Sequence, residues 1–215
     1  MNNCYKTPMG ELQIEVFGHA SVLFTINGKN IYLDPYGEVC SFEGKAPADL
    51  ILITHNHYDH YDKKAFSKIT TPKTLFIVSS DVPKVNSKYT VLQNEEACDY
   101  EGIHIKAIAA YNVKNMRSDG QPFHPRGVGN GYIMYFNGFT VYIAGDTELI
   151  PQMKSVTYSD IAFLPKNLPY TMSDDEFIEA ANLIKPKFLY PYHYDDIDVS
   201  KLKKFLDLGI TLVEK

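Results

Sequence analysis

The residues of this sequence best suited to chemistry lie in one short segment, His55-Asn56-His57-Tyr58-Asp59-His60. Imidazole and carboxylate groups are rarely buried together unless they are paired or coordinated. The spacing can direct His55 and His57 toward one cation. The adjacent Asp59 and His60 can then face a neighbouring cation. Neutral imidazole and carboxylate oxygen suit Zn²⁺, Fe or Mn, so the segment predicts a metal centre, with a solvated, histidine-rich turn as the alternative.

A buried strand is predicted to position this segment. Residues 49–54 (DLILIT) are almost continuously apolar, which is typical of a strand covered on both faces. Asn27-Gly28 and Asn137-Gly138 each separate two apolar runs and predict tight hairpins. Ser173 and Glu176 form a capping box that opens a helix running to about residue 184.

Hairpins mixed with strand–helix–strand units favour two mixed β-sheets packed together and flanked by helices, a four-layer αββα sandwich of the α+β or α/β class. The chain has no linker-like boundary, and residues 1–215 are expected to form one domain. Strands are predicted at residues 12–17, 20–26, 31–34, 49–54, 74–79, 89–93, 103–111, 131–136, 139–144, 160–165, 188–192 and 210–213, and helices at 62–69, 174–184 and 200–208.

Composition limits the classes of function. The chain has 215 residues, 45% hydrophobic and 22% charged, which is ordinary for a globular protein and excludes a disordered or fibrous one. A net charge of −5 argues against a nucleic-acid partner. Three scattered cysteines indicate no disulfide framework, and neither a signal peptide nor a membrane span is recognisable. We therefore expect a cytoplasmic protein, with a homo-oligomer left open.

The pattern H-x-H-x-D-H after a buried strand resembles the signature of the metallo-β-lactamase superfamily of metal-dependent hydrolases. Asp34, Asp146 and His193 match the family's early aspartate, bridging aspartate and late histidine in order and in strand-end placement. Three further segments, Gly18-His19-Ala20, Ala144-Gly145-Asp146-Thr147 and Lys185-Pro186-Lys187, are similar to the branch that contains L-ascorbate-6-phosphate lactonase and, more distantly, N-acyl-phosphatidylethanolamine phospholipase D.

The resemblance implies a two-metal site. His55 and His57 would bind a first metal, and Asp146 would bridge the two ions. Asp59, His60 and His193 would bind the second ion. Asp34 would orient this loop through hydrogen bonds, although an aspartate before a proline is also a common turn residue.

One position departs from the family pattern. The third histidine for the first metal should follow the strand 103–111, and Asn112 stands there instead. Asn binds transition metals weakly, so the first site would be empty, weak or completed by another residue. His124 is the candidate, because it lies in a polar loop, residues 112–130, that is long for a simple connector. An exposed loop histidine or a substrate contact are the alternatives for His124.

Lys166 marks a second departure, since relatives usually have a glycine pair after the preceding proline. Lys166 would project toward an anionic substrate group, and with Lys114, Arg117 and Arg126 it would form a clamp. Ordinary surface charge is an equally good interpretation. Tyr58 is a candidate to cover the pocket. His19 is interpreted as a structural histidine or, alternatively, as one near the floor of the site, and His104 as structural or exposed.

The resemblance therefore implies a hydrolase with one or two zinc ions per chain, Mn or Fe being alternatives. The ions would lower the pKa of a bound water toward ~7, and Asp59 would accept and pass on a proton. The expected substrate is a small lactone, carboxylic ester or phosphodiester, whether anionic or neutral. Two other functions stay open: an iron-dependent oxidoreductase or dioxygenase on the same scaffold, and a catalytically impaired metal-binding protein, which Asn112 suggests.

Overall fold

The computed structural model describes residues 2–214, which fold into two seven-stranded sheets. The first sheet contains β1 Asn2–Thr7, β2 Gly10–Gly18, β3 Ser21–Ile26, β4 Lys29–Leu33, β5 Leu50–Ile53, β6 Leu75–Val78 and β7 Tyr89–Val91. The second contains β8 Ala97–Tyr100, β9 Ile103–Ala110, β10 Gly129–Tyr135, β11 Thr140–Ile143, β12 Ile161–Pro165, β13 Phe188–Tyr192 and β14 Thr211–Leu212. The helices are α1 Lys63–Ser67, α2 Asp174–Ile184 and α3 Val199–Lys203, with a 3₁₀ helix at Pro151–Val156.

The two sheets repeat one plan. β1 to β4 pair antiparallel and β4 to β7 parallel. β8 to β11 likewise pair antiparallel and β11 to β14 parallel. In the matching hairpins, Asn27 and Asn137 adopt φ angles of 50° and 52°, which a tight primed turn requires. The predicted pair of mixed sheets is confirmed.

Helices cover the outer face of each sheet, which completes the four layers. Leu50 and Leu52 of β5 face the core between the sheets, while Ile51 and Ile53 face the cluster under α1. This alternation explains why the whole run is apolar: both faces of β5 are buried. On the second sheet, Phe177 of α2 packs in the outer apolar cluster.

The elements differ from the sequence-based expectations mainly in extent. α2 has the predicted bounds and the predicted capping box on Ser173. α1 and α3 are shorter than predicted, and each begins after an aspartate N-cap, Asp62 or Asp198. β1 and β8 were not predicted: β1 is largely polar, β8 has only four residues, and both are defined by pairing with β2 and β9. With 11 residues, α2 is the longest α-helix of residues 2–214, about half of what a membrane-spanning helix needs.

Candidate metal centre

The ligand-type side chains lie where strands end. Asp34 follows β4, and His55 comes two positions after β5. Asp146 follows β11, and His193 comes directly after β13. Since β4 runs parallel to β5, and β11 and β13 each run parallel to β12, their carboxyl ends meet at one edge of the sandwich. The sequence-predicted order along the chain therefore becomes a cluster in space.

Tight left-handed backbone at these strand ends turns the side chains toward one another. Asp34 and His193 adopt φ angles of 39° and 51°. At Gly145, with φ of 69°, a Cβ atom would lie 2.6 Å from the carbonyl oxygen of Asn130. Only glycine fits there without a backbone shift, so Gly145 lets Asp146 approach the neighbouring strand end closely.

His55, His57 and His124 form what we call the three-histidine cluster. One nitrogen from each lies within 4.8 Å of the others. His55 Nε2 is 3.0 Å from His57 Nδ1. His55 and His124 are buried, while His57 is half-buried and faces a cavity. Three imidazole nitrogens around one point are a donor set that suits zinc.

A second group, the aspartate cluster, contains Asp59, His60, His193 and His19. One ligand atom from each again lies within 4.8 Å of the others. His19 Nε2 lies 3.0 Å from Asp59 Oδ2, and the rings of His19 and His193 are 3.9 Å apart. This group mixes three imidazoles with a carboxylate, which suits a divalent cation of the zinc, iron or manganese type.

Asp146 lies between the two clusters and faces both. Its Oδ2 atom lies within 4.0 Å of four histidines, two from each cluster. The separations are 3.0 Å from His193 Nε2, 3.4 Å from His60 Nε2, 3.4 Å from His124 Nε2 and 4.0 Å from His55 Nε2. Asp146 is thus placed to contribute to either cluster or to both.

Asp34 supports the aspartate cluster from behind. Its fully buried carboxylate accepts hydrogen bonds from the backbone N–H of Thr54 at 2.8 Å and from Thr54 Oγ1 at 2.6 Å. It also lies 2.8 Å from His60 Nδ1. With Nδ1 held in this way, His60 directs Nε2 toward Asp146, the kind of contact that orients a metal-binding imidazole.

Burial and neighbouring charges shift the pKa of His60 in the opposite direction to those of His55 and His124. Burial lowers the pKa of His124 to about 4 and that of His55 well below its usual range. Burial acts the same way on His60, but the carboxylates of Asp146 and Asp34 outweigh it and raise the pKa of His60 well above its usual range. For Asp59, burial is opposed by the His19 hydrogen bond and by His60, which lower its pKa to about 2.

Several buried polar atoms at the centre have no hydrogen-bond partner among residues 2–214. They are His60 Nε2, His124 Nε2, Asp146 Oδ1 and both ring nitrogens of His193. Leaving such an atom unsatisfied costs about 1–3 kcal/mol. A cation bound among these atoms would remove that penalty, so the residues fit a metal with nitrogen and oxygen ligands.

Of the predicted basic clamp, Arg117 alone lies beside the clusters. Arg117 Nη2 is 3.5 Å from His57 Nε2 and donates to the carbonyl of Phe123 at 3.1 Å. Lys166 instead pairs with Asp174 at 2.9 Å, outside the cavity above the clusters. Lys114 pairs with Glu176, and Arg126 lies over the ring of Tyr111. The structure does not bring Lys166, Lys114 and Arg126 to the metal centre.

A cavity of about 530 Å³ opens above both clusters. Tyr58 is at its mouth with 78% of its surface exposed, and it contacts Tyr36 edge to face. The residues that line the cavity are His19, His57, Tyr58, Asp59, Arg117, Phe123, His124, Asp146, Asn167, Tyr170, His193 and Asp195. Solvent and a small molecule can therefore reach ligands of both clusters.

Sequence reasoning gave too little weight to His19 and overlooked Glu148. Gly18 and His19 both have positive φ angles, 142° and 49°, next to an irregularity in the pairing of β2 with β3. The Gly-His pair before a strand was the available signal for such a turn. For Glu148 the only sequence signal was weaker, a carboxylate two positions after Asp146. Glu148 is fully buried and accepts a hydrogen bond from the loop that carries His124.

Comparison with known proteins gives one family. The model of the β-lactamase superfamily domain matches residues 13–193. A UPF0173 metal-dependent hydrolase of Pyrococcus abyssi is 32% identical over 86% of this chain and 85% of its own length. Another, from Thermoplasma volcanium, is 30% identical over 88% and 87%. The resemblance to the branch with the ascorbate-6-phosphate lactonase stays a prediction.

Solved structures share the fold. A provisionally assigned metal-dependent hydrolase from Parabacteroides distasonis is 39% identical, covers 99% of this chain and 97% of its own, and superposes with a TM-score of 0.89. Igni18, a metallo hydrolase from Ignicoccus hospitalis, is 20% identical with a TM-score of 0.70 over 94% and 95% of the two chains. The second likeness concerns the fold alone.

Proposed function

This chain belongs to the metallo-β-lactamase superfamily, among its metal-dependent hydrolases, and from that premise we propose that it hydrolyses an ester bond of a small substrate with two metal ions. The hydrolase assignment comes from the family; the bond, the number of ions and their identity are our proposal. The observation that carries it is Asp146, which lies between two complete sets of ligand-type side chains.

In this proposal the three-histidine cluster would hold the first ion and the aspartate cluster the second. Asp146 would contribute to both sites, since one carboxylate can offer an oxygen to each cation. The donor set supports zinc because neutral imidazole and carboxylate are its usual ligands besides thiolate. Manganese and iron accept the same donors. Cys4, Cys40 and Cys98 belong to neither cluster.

When bound, ions of this kind lower the pKa of a coordinated water toward about 7 and polarise the oxygen of the scissile group. The chain supplies proton transfer and orientation. Asp59 faces the cavity, is ionised at neutral pH, and is placed to take a proton from water and return it to the leaving group. His19, 3.0 Å from Asp59, fixes the orientation of that carboxylate.

The cavity supports a small substrate with an anionic group. Its volume, about 530 Å³, is within the roughly 300–1,000 Å³ of small-molecule sites. Arg117 presents its guanidinium at the side of the three-histidine cluster, where a carboxylate or phosphate oxygen can accept hydrogen bonds from it. Tyr58 at the mouth is placed to cover the bound molecule. A lactone, a carboxylic ester and a phosphodiester all meet this description. A cytoplasmic location and self-association stay predictions.

Elemental analysis combined with a substrate panel tests the proposal. Purified without chelator, the protein should hold near two Zn or Mn per chain and hydrolyse one class among chromogenic carboxylic esters, lactones and phosphodiesters. Chelation should abolish this activity, and Zn²⁺ or Mn²⁺ should restore it. One iron per chain with substrate-dependent oxygen consumption would favour the oxidoreductase instead. Less than one metal and no turnover would favour an impaired metal-binding protein.

His104→Ala provides a matched control for histidine substitutions at the centre. His104 lies on β9, is exposed, and pairs with Asp99 at 2.8 Å, away from both clusters. Metal content and activity of this variant should equal those of the wild type. A loss in His104→Ala similar to that in a cluster variant would show that the assay reports general damage.

A further inference from the structure

Asn112 contacts His124 on the side opposite Asp146. Its Oδ1 atom accepts a hydrogen bond from the backbone N–H of His124 at 2.8 Å and lies 2.8 Å from His124 Nδ1. The backbone N–H of Asn112 donates in return to the carbonyl of His124 at 2.9 Å. Both side chains are buried. Since its oxygen is already used by His124, Asn112 is not free to bind a metal itself.

The amide of Asn112 is held in one orientation. Its Nδ2 atom donates to Glu148 Oε1 at 3.1 Å and to the carbonyl of Tyr170 at 2.8 Å. Turning the amide over would place its NH₂ against the N–H of His124 and its oxygen against two acceptors. The oxygen end must therefore face His124.

Glu148 connects this contact to the rest of the loop. Its fully buried carboxylate accepts hydrogen bonds from the backbone N–H groups of Val113 at 2.8 Å, Lys114 at 2.7 Å and Asn115 at 2.7 Å. Glu148 lies two residues after Asp146, on the segment that follows β11. The start of the long loop is thus fastened to the same segment that carries the central carboxylate.

These hydrogen bonds determine which ring nitrogen of His124 carries the proton and which one faces the metal centre. Because Asn112 Oδ1 is only an acceptor, His124 must carry its proton on Nδ1. The lone pair of Nε2 then stays available, and Nε2 is buried, has no hydrogen-bond partner among the described residues, and lies 3.4 Å from Asp146 Oδ2. Hydrogen bonds of this kind fix the tautomer and the ring orientation of metal-binding histidines.

We propose that Asn112 and Glu148 are positioning residues that recruit His124 from the loop as the third ligand of the first ion. The inference rests on the proposed function, because it requires an ion at the three-histidine cluster. Asn112, just after β9, then does not bind the metal but holds His124, which lies 12 residues later in the sequence. With His124 as its third ligand, the first site is complete.

A double-mutant cycle on Zn²⁺ affinity tests this proposal. The stepwise affinities of wild type, Asn112→Ala, His124→Ala and the double variant are measured by competition with a chromogenic chelator. Asn112→Ala should weaken one of the two affinities by about 10–100-fold. In the His124→Ala background it should have no further effect, since Asn112 acts through His124. Unchanged affinity in Asn112→Ala, or the same loss in both backgrounds, would overturn the proposal.

Asn115→Ala is the matched control. Asn115 is on the same loop, and its side chain donates to the carbonyl of Thr171 at 3.2 Å and not to His124. Its Zn²⁺ affinities should equal those of wild type. Glu148→Gln keeps the shape of the side chain but replaces one of its two acceptor oxygens with an NH₂ donor, so it loses part of its bonds to the three N–H groups. It should lower the same affinity as Asn112→Ala by a smaller factor.

The tautomer of His124 provides a readout that needs neither a folded variant nor a bound metal. In the ¹⁵N spectrum of the metal-free wild type, His124 should carry its proton on Nδ1. A proton on Nε2 would overturn the positioning role even if Asn112→Ala failed to fold. A wild type that binds no Zn²⁺ would instead contradict the proposed function, and the tautomer would still decide whether Asn112 orients His124.

Discussion

The two ligand clusters share Asp146, yet they are anchored in different ways. His60 of the aspartate cluster lies 2.8 Å from a carboxylate oxygen of Asp34, and His124 of the three-histidine cluster lies 2.8 Å from an amide oxygen of Asn112. The geometry is alike and the charge differs. Asp34 helps raise the pKa of His60 despite burial, whereas burial lowers that of His124 to about 4. The charged carboxylate of Asp34 thus adds to the effect of Asp146 on the pKa of His60, whereas the neutral amide beside His124 leaves burial dominant.

The clusters also differ in how much of the core supports them. Asp34 and Thr54 follow adjacent parallel strands in the interior, so the aspartate cluster is fixed by the sheet itself. His124 belongs to a loop and reaches the centre through Asn112 and Glu148. We expect the three-histidine cluster to be the more sensitive to changes far from the metals, because loops are held by fewer contacts than strands.

Removing the shared carboxylate should have the largest effect. Asp146→Ala takes one potential ligand from both ions, so both Zn²⁺ affinities should fall by more than the roughly 10–100-fold that follows loss of an outer partner, and hydrolysis should be lost. Metal content and turnover are the measurements. Asp160→Ala is the control, since Asp160 is also buried but bonds Lys187 and Thr140 away from the centre. Normal metal content in Asp146→Ala would contradict a bridging role.

Single-ligand variants should then separate the clusters. His124→Ala is expected to lose the first ion and keep the second, while His193→Ala should do the reverse. Each variant should therefore hold about one Zn²⁺ per chain where the wild type holds two, because each removes a ligand from one cluster only. Stoichiometry by elemental analysis after dialysis measures this. Should His124→Ala retain both ions and show only a raised KM, His124 contacts substrate instead.

The sequence was sufficient for those parts of the fold that depend on local pattern. Residues 49–54 predict β5 because a strand buried on both faces must be apolar throughout, and Ser173 with Glu176 predicts the start of α2 because the capping box is a contact between residues three apart. The clustering of His55, Asp146 and His193 was expected from the family resemblance, and all three lie after strands that were predicted.

The parts that depend on contacts distant in sequence were not predictable. The sequence indicated His124 as a candidate ligand, but not its contact with Asn112 or the contact of Asn112 with Glu148, which are 36 residues apart. For Lys166 the sequence left two interpretations open, a place near the metals and an ordinary surface charge, and the ion pair with Asp174 at 2.9 Å lies outside the cavity. Neither contact leaves a pattern in the chain that local spacing can reveal.

The pH dependence of stability in the metal-free protein should sharpen the contrast between the clusters. The pKa of His124 is about 4 in the folded state and about 6.5 unfolded. The unfolded state therefore binds more protons between these values, and His124 makes the protein less stable as pH falls from 6.5 to 4. His60, whose folded pKa is raised, contributes stability that is present below pH 6.5 and is lost as pH rises through the folded value.

Urea unfolding at a series of pH values, in chelator, measures these contributions. His124→Gln should flatten the decline in stability between pH 6.5 and 4. His60→Gln should leave that decline unchanged and instead remove the loss of stability as the pH rises above 6.5, because His60 is protonated in both states below that pH. Identical profiles for the two variants would mean that the different partners, amide and carboxylate, do not distinguish the clusters.

Substitution of Arg117 should have the smallest effect on activity. It tests which cluster the anionic part of a substrate approaches. Its guanidinium lies beside His57 of the three-histidine cluster and over the ring of Phe123. Arg117→Lys keeps the charge but removes the planar fork that can give two hydrogen bonds to a carboxylate or phosphate. KM for an anionic substrate should rise several-fold, with metal content unchanged and kcat altered less. Lys166→Ala is the matched control, because its ammonium group is paired with Asp174 outside the cavity. An effect of Lys166→Ala equal to that of Arg117→Lys would mean that the rise in KM does not come from a specific contact of Arg117 with the anionic group.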